Sequence, residues 1–221
     1  MLFLGIQFVI WTVSGAYMVI FDIDYIHGDS LVVNHQSKIN VDNINFTLAD
    51  LLEAYPDAES LEMGVFIDQD VYRFTIKNGD KKIQYLVAAR NGKQLSPLNE
   101  DLAKRAAQHY YSGEGHIVDV ELITENPPFE LSARHLPVWR IDFDDFASPS
   151  FYISVNSGKL VTKRHTFWRL FDWMFSFHVM DYIEEDPSNK LLLIVSIFAL
   201  IASLFGVVLT YFRLLKPKER R

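Results

Sequence analysis

Two histidines, His27 and His178, are the side chains of this sequence whose position suggests metal chemistry. Each lies a short distance from a long apolar segment, and two neutral imidazoles that meet beside a membrane could bind a metal ion or ligate a haem iron. The chain has no H-E-x-x-H or His-x-His pattern, and His109, His116 and His135 are interpreted as surface residues. The sequence therefore predicts no metal site outright; it leaves His27 and His178 as candidates and haem as the cofactor hypothesis.

Two arginines, Arg73 and Arg140, occupy matching positions in two similar strand-like runs, beside aromatic residues. A guanidinium group can hold a carboxylate or another anion through paired hydrogen bonds. The two arginines are therefore candidate contacts for an anion or a peptide carboxylate, with packing against carboxylates inside the domain as the alternative. The chain also lacks a glycine-rich phosphate loop and a G-x-S-x-G motif, so we predict no catalytic residue. Whether the protein is an enzyme stays open, and a protein without enzymatic activity is the favoured interpretation.

Two long apolar segments flank these candidates. Residues 191–212 form an uncharged run, and at about 1.5 Å per residue a helix of that length crosses a hydrocarbon core of about 30 Å. Residues 1–21 are also uncharged. A cleaved signal peptide is the alternative for this first run, but no basic residue precedes it and no small-x-small cleavage pattern follows it. We therefore expect two transmembrane helices, the first of them an uncleaved anchor.

The charge distribution predicts an orientation for these two helices. Residues 213–221 carry five basic residues and one acidic residue, and positively charged flanks remain cytoplasmic. Both termini are therefore predicted to be cytoplasmic and residues 22–190 periplasmic. This external segment holds all but one of the 28 acidic residues, which argues against nucleic-acid binding. The absence of cysteine excludes disulfides and thiolate metal sites.

The external segment alternates helix and strand signals. Thr47 and Asp50 form a predicted capping box at the start of a helix that Pro56 ends, and Ser96 followed by Pro97 is a predicted N-cap for a second helix. Residues 22–46 are predicted to be a lead-in with one or two strands. Runs of β-branched and aromatic residues between turn residues predict six further strands, at 60–67, 71–76, 82–88, 116–123, 137–143 and 151–155.

These elements form an internal repeat. The run Val71-Tyr72-Arg73-Phe74 matches Val138-Trp139-Arg140-Ile141 at an offset of 67 residues, and Tyr85 matches Tyr152 at the same offset. Each unit is predicted to be a helix followed by an antiparallel meander, since aromatic and β-branched residues alternate with polar ones.

Each repeat closes with a glycine turn, at Gly92 and at Gly158; these are offset by 66 residues, so one residue has been lost between the matching positions. Both glycines suit a backbone position with a positive φ.

With its aromatic-Arg strand, tyrosine-bearing strand and glycine-lysine turn, the unit resembles a PepSY domain. The whole chain resembles PepSY domain-containing membrane proteins of Gram-negative bacteria, in which a helix reading Gln-x-x-x-Trp-x-x-Ser-Gly precedes the domain. The matching residues are Gln7, Trp11, Ser14 and Gly15, followed near the C-terminus by the segments 168–172 and 178–182.

The repeat and the resemblance together predict an α+β fold, a tandem helix-plus-antiparallel-meander (PepSY-like) ectodomain flanked by two transmembrane α-helices. The predicted order is a transmembrane helix at 1–21, the lead-in at 22–46, repeat 1 at 47–95, repeat 2 at 96–165, an aromatic juxtamembrane segment at 166–190, a transmembrane helix at 191–212 and a basic cytoplasmic tail at 213–221.

The resemblance implies a periplasmic binding or accessory protein of the bacterial inner membrane, one that binds or modulates an envelope protein such as a peptidase. An exposed strand edge of either meander could do this by strand addition. The expected partners are the lipid bilayer and an envelope protein. The alternative hypothesis is an accessory subunit or haem- or metal-binding component of a membrane redox system resembling iron or flavin reductases; a third is a structural subunit of a transporter. In the second apolar run, Ala202, Gly206 and Thr210 form a small-residue ridge suited to close helix contact.

Overall fold

The structure, a computed structural model, describes residues 2–35, 38–79, 81–180 and 189–215. The chain divides into two units. The first, here called the apolar unit, comprises Met1–Asp22 and Leu170–Arg221, and the second, the sheet unit, comprises Ile23–Arg169. The described residues form α-helices and two antiparallel sheets, which confirms the predicted α+β class.

The helices and strands follow one another in an order that repeats helix and meander. The helices are α1 (Leu2–Ile20), α2 (Ile23–Ile26), α3 (Leu48–Ala54), α4 (Glu100–Tyr110), α5 (Thr166–Val179) and α6 (Lys190–Thr210). The strands are β1 (Ala58–Phe66), β2 (Gln69–Asn78), β3 (Lys81–Ala88), β4 (Ile117–Ile123), β5 (Val138–Phe143), β6 (Ser150–Ser154) and β7 (Leu160–Arg164). The first sheet has the order β1-β2-β3 and the second the order β4-β5-β6-β7, so each sheet is a meander that comes after a helix.

The helix starts differ in how well the sequence predicted them. The capping box of α3 is confirmed, since the Thr47 hydroxyl accepts a hydrogen bond from the Asp50 amide and the Asp50 carboxylate accepts one from the Thr47 amide. The predicted N-cap of α4, Ser96, is wrong. Asn99 caps the helix by accepting from the amide of Leu102 at 2.9 Å. Ser96 is buried, and its hydroxyl instead accepts from the Leu86 amide of β3 at 2.9 Å.

Two strand predictions are also wrong. The lead-in contains no strand among its described residues. It forms α2 and two short 3₁₀ segments, Asp29–Leu31 and Val41–Asn43, with a single bridge between Val32 and Tyr111. Strand β7, by contrast, was not predicted, because its sequence Leu-Val-Thr-Lys-Arg lacks an apolar alternation. It forms a strand because its backbone pairs with β6 in antiparallel orientation.

The strand register supports a repeat but corrects one of its equivalences. In the first sheet Phe74 pairs with Tyr85, whereas in the second Ile141 pairs with Phe151. Tyr85 therefore corresponds to Phe151, and its predicted equivalence with Tyr152 is wrong. The lost residue lies in the hairpin between β5 and β6, before the tyrosine. Because side chains alternate between faces, this shift turns Tyr152 away from the face that Tyr85 occupies in its own sheet.

Both halves of the sheet unit share one main core. The face of the first sheet that carries Val71 and Leu86 packs in the same cluster as Ala103 and Ala106 of α4 and Phe151 of β6. A smaller cluster lies between α3 and the other face of the first sheet, around Leu51, Tyr72, Phe74 and Val87. A third lies on the outer face of the second sheet, around Ile123, Leu131, Val138 and Tyr152.

In the apolar unit, α6 continues as a turn of π-helix over Tyr211–Leu215. By length and composition, Lys190–Leu214 could cross a membrane. The apolar stretch Gly5–Ile20 of α1 is shorter. Among the described residues one helix therefore has the length and composition of a membrane span, and the second predicted span, over residues 1–21, stays a prediction.

Candidate functional site

Arg73 lies in β2 on the face that packs against the second half of the sheet unit. Its side chain is buried, and the guanidinium group donates to the carbonyls of Val65 at 3.2 Å and Ser157 at 3.0 Å. Burial lowers the pKa of Arg73, while Tyr110 and Glu62 oppose that shift. This candidate anion contact therefore joins the two repeats through backbone carbonyls.

Arg140 occupies the equivalent position of β5, on the outer face of the second sheet. Its guanidinium group is paired with the Asp142 carboxylate through Nε at 3.0 Å and Nη2 at 2.9 Å. On the adjoining strands, Glu121 and Tyr152 stand opposite Arg140. The arginine therefore has an internal carboxylate partner, which is the alternative role that the sequence left open for it.

A buried ion pair that the sequence did not predict lies beside Arg140. Glu130 accepts hydrogen bonds from Tyr152 at 2.5 Å and from Arg169 at 2.6 and 2.9 Å, and Arg169 also donates to Ser150 at 2.8 Å. Burial raises the pKa of Glu130, but the hydrogen bonds from Arg169 and Tyr152 outweigh it, so the net pKa lies below the ordinary value. These contacts fasten the loop between β4 and β5 to the first turn of α5. Nothing in the spacing of Glu130 and Arg169 predicts their meeting.

The two candidate metal ligands belong to different units. His27 follows α2 in the sheet unit, and His178 lies in the last turn of α5 in the apolar unit. Within the described residues there is no cluster of three or more potential metal-ligand side chains. Neither observation places a second ligand beside either histidine.

His178 is held by residues of the Gln-x-x-x-Trp-x-x-Ser-Gly pattern on α1. The Trp11 indole donates to the His178 carbonyl at 2.8 Å, and the Ser14 hydroxyl lies 2.9 Å from His178 Nδ1. Ser14 donates its own proton to the Ile10 carbonyl at 2.6 Å, so Nδ1 must carry the proton and donate to Ser14. A Cβ at Gly15 would lie 3.3 Å from the imidazole Cε1, so the glycine lets the His178 ring lie close to α1. In that tautomer the lone pair lies on Nε2.

The other histidines show where the surface interpretation fails. His116 has an exposed side chain, as predicted. The His109 side chain is only 15% exposed, and its ring stacks on that of His35 with centroids 3.9 Å apart. Burial and the neighbouring His35 lower the pKa of His109. His165 is also buried; its Nε2 lies 3.0 Å from the Tyr25 carbonyl and 3.1 Å from that of Ile26.

Strand β4 is an edge strand of the second sheet with exposed side chains that another chain could contact. Among the described strands, β4 pairs only with β5. Val118 is 62% exposed and Leu122 is 46% exposed, while Asp119 and Glu121 lie between them and are also exposed. An irregularity between Ile117 and Asp119 leaves the stretch 119–123 in regular register. This edge therefore combines unpaired backbone groups, apolar side chains and two carboxylates.

Comparison with family models, with characterised proteins and with solved structures finds no match to this chain.

Proposed function

We propose that the chain is a membrane-anchored periplasmic binding or accessory protein, whose tandem PepSY-like module captures an extended segment of an envelope protein such as a peptidase. The observation that carries the proposal is the β4 edge with its exposed Val118 and Leu122. An extended segment that adds to an edge strand forms main-chain hydrogen bonds, while alternate side chains provide specificity.

The side chains of β4 define the segment that would fit. A strand lying beside residues 119–123 would place alternate side chains near Asp119 and Glu121, and opposite charges on neighbouring strands attract. Basic residues at those positions of the partner would pair with the two carboxylates. The same carboxylates would hinder pairing between two copies of this edge, since like charges facing one another on paired strands are unfavourable. The proposed partner is therefore an extended segment in which basic and apolar residues alternate.

Membrane anchoring in this proposal uses both apolar helices, α1 and α6. Lys190–Leu214 has the length and composition of a span, and α1 contains 19 residues without a charge. At about 1.5 Å per residue α1 covers nearly a hydrocarbon core of about 30 Å, and a small shortfall is met by local thinning of the bilayer. The basic residues after α6 would keep both termini cytoplasmic and the sheet unit periplasmic.

The experiment for the binding proposal is site-specific photo-crosslinking from position 124, an exposed residue directly after β4, in the full-length protein in intact cells. We expect one recurrent envelope partner, lost in the double variant Val118→Lys, Leu122→Lys. The control is Val41→Lys, which introduces one lysine at a residue that is 74% exposed and remote in sequence from β4. Retention of the same partner by the double variant, or its loss with Val41→Lys, would contradict capture by this edge.

Orientation is tested separately with a reporter that is active only in the cytoplasm. Fused after Arg221 it should be active, and inserted at Gly79 it should be silent. Gly79 lies in the β2–β3 turn, and a Cβ there would meet nothing within 4 Å, so the insertion leaves the sheet core intact. The opposite pattern of activity would overturn the periplasmic placement.

One observation favours the alternative, a haem- or metal-binding component of a membrane redox system. The hydrogen bond from His178 Nδ1 to Ser14 leaves the lone pair on Nε2, and metal-ligating histidines are commonly oriented by such a hydrogen bond from their other ring nitrogen. An absorption spectrum of the protein purified from iron-replete cells tests whether it binds haem. A Soret band that disappears in His178→Ala would support this function, whereas a colourless protein would contradict haem binding.

A further inference from the structure

The apolar unit contains a small cavity between α1 and α6, with a volume of about 190 Å³. Its lining from α1 includes Gln7 and Trp11, and its lining from α6 includes Ala199, Ala202 and Ser203. The small residues of α6 leave this space, since larger side chains there would fill it. A cavity of about 150 Å³ is enough to hold a benzene molecule, so this one accommodates a six-membered ring or a segment of similar bulk.

Gln7 is the unusual residue of the cavity. Only 6% of it is exposed, and its side-chain Nε2 has no hydrogen-bond partner among the described residues. The other polar groups along this face of α1 are satisfied, because the Trp11 indole donates to His178 and the Ser14 hydroxyl donates to Ile10. A buried amide donor without an acceptor is unfavourable, and each such group in a native protein calls for a partner. The missing partner must be a hydrogen-bond acceptor.

We propose that this cavity binds the carbonyl group of a molecule dissolved in the lipid phase, with Gln7 Nε2 as the donor. The proposal rests on the membrane anchoring proposed above, which places α1 and α6 among lipids and removes water as the acceptor. The aromatic ring of Trp11 and the alanines of α6 provide an apolar wall for the body that carries the carbonyl. Two lipid-phase sources share this chemistry: the ring carbonyl of an isoprenoid quinone and the ester carbonyl of a phospholipid.

Two substitutions in the full-length protein test the site. Gln7→Leu removes the donor at similar size, and Ala202→Phe fills the cavity. Their controls are Thr12→Val, a polar-to-apolar change at an exposed residue of α1, and Gly206→Phe, a small-to-large change on α6 where a Cβ meets nothing within 4 Å. Circular dichroism and membrane extraction establish that each variant folds and inserts.

The probes distinguish the two sources and the carbonyl itself. A decyl-substituted benzoquinone is titrated against decylbenzene, which lacks the carbonyls, with the protein in nanodiscs and binding monitored by tryptophan fluorescence. Ester-linked phosphatidylethanolamine is compared with its ether-linked analogue, which also lacks carbonyls, by native mass spectrometry. We expect one carbonyl probe to bind the wild type about tenfold more tightly than it binds Gln7→Leu or Ala202→Phe, with both controls unchanged. The carbonyl-free analogues should not distinguish the variants.

Equal binding of both carbonyl probes to the wild type and to Gln7→Leu, with the protein inserted in the membrane, would overturn the cavity proposal and leave the anchoring intact. Recovery of the wild type from the soluble fraction would overturn the anchoring, and the cavity proposal with it. Capture of an envelope partner by β4 is measured on a different unit and is unaffected by either result.

Discussion

In the first sheet, the face that carries Arg73 is covered by the second half of the sheet unit, whereas in the second sheet the face that carries Arg140 is covered by the loop between β4 and β5. The first arginine donates to carbonyls of both halves. The second is paired with Asp142 on its own strand and lies close to the ion pair of Glu130 and Arg169. Two arginines at equivalent strand positions thus have different surroundings: Arg73 contacts the neighbouring repeat, and Arg140 lies on a face that a loop covers.

This difference arises from the tandem arrangement. A meander with one helix buries one face against that helix, and the other face needs a separate cover. The first repeat is covered by the second repeat, whereas the described segment that follows the second repeat is helix α5 and not another meander. The outer face of the second sheet is covered by the loop residues Glu130 and Leu131. The internal repeat therefore predicts that the two arginines occupy equivalent strand positions. The groups that each guanidinium binds depend on which segment of the chain covers that face of its sheet.

The sharpest test of the comparison is to remove each arginine in turn. Arg73→Ala would leave the carbonyls of Val65 and Ser157 without their donor and open a cavity in the shared core, so we expect a loss of about 3–4 kcal/mol in the free energy of unfolding. Arg140→Ala removes a partly exposed ion pair and should cost about 1 kcal/mol. Urea unfolding of the full chain in detergent measures both. Equal losses would contradict the different roles assigned to the two residues.

The cover of the second sheet is tested through Glu130. Glu130→Gln leaves the charge of Arg169 without its carboxylate, and breaking a buried pair costs about 3 kcal/mol or more. Because the pKa of Glu130 lies below its ordinary value of 4.5, the stabilisation by its carboxylate is fully present above that pH and is lost as pH falls through the lowered pKa.

We therefore expect the difference in melting temperature between wild type and Glu130→Gln to be constant near neutral pH and to shrink below about pH 4.5. Arg140→Ala is the control, because it changes the same face without removing the Glu130 carboxylate. A difference that stays unchanged down to pH 3 would show that the carboxylate of Glu130 is not the source of the stabilisation.

Two glycine turns provide the next comparison, the closing turn of the second repeat at Gly158 and the β2–β3 turn at Gly79. Gly158 has a φ of 67°, and a Cβ there would lie 2.6 Å from the ring of Phe66 in β1. Gly158→Ala combines backbone strain with overpacking, and should cost about 2–3 kcal/mol. Gly79 has a φ of 62° with nothing within 4 Å, so Gly79→Ala should cost only about 1 kcal/mol. Thermal unfolding of both variants gives the overpacking contribution as a difference, and equal losses would mean that Phe66 moves aside.

Much of this fold could be predicted locally. The capping box at Thr47, the alternation in β2 and β5 and the positive φ at Gly92 and Gly158 depend on neighbours in the sequence. The N-cap of α4 could not be predicted correctly, because Ser96 is recruited by the amide of Leu86 in another element. The register of β6 was also missed, because placing the lost residue after Tyr152 matches Tyr85 with an identical tyrosine, whereas the strand register matches it with Phe151.

The candidate sites were less predictable, because they depend on contacts between residues far apart in the sequence. The pairing of Glu130 with Arg169 and the stacking of His35 on His109 leave no local pattern. The apolar unit is the exception. Trp11, Ser14 and Gly15 were singled out by the resemblance to PepSY domain-containing membrane proteins, and all three contact or lie close to His178. The resemblance did not name His178 as their shared neighbour.

The smallest expected effect concerns the lysines that come directly after the glycines of the two closing turns. Lys159 pairs with Glu62 of β1 at 2.7 Å, and both side chains are about half exposed, so Lys159→Ala should cost only about 0.5 kcal/mol. Lys93, the equivalent residue of the first repeat, has no ion pair among the described residues, and Lys93→Ala should leave the free energy of unfolding unchanged. Since an exposed pair is screened by salt, the Lys159 effect should fade in concentrated sodium chloride. Urea unfolding at low and high salt measures this, and a loss for Lys159→Ala that persists in high salt would mean that its side chain joins the two repeats by packing and not by charge.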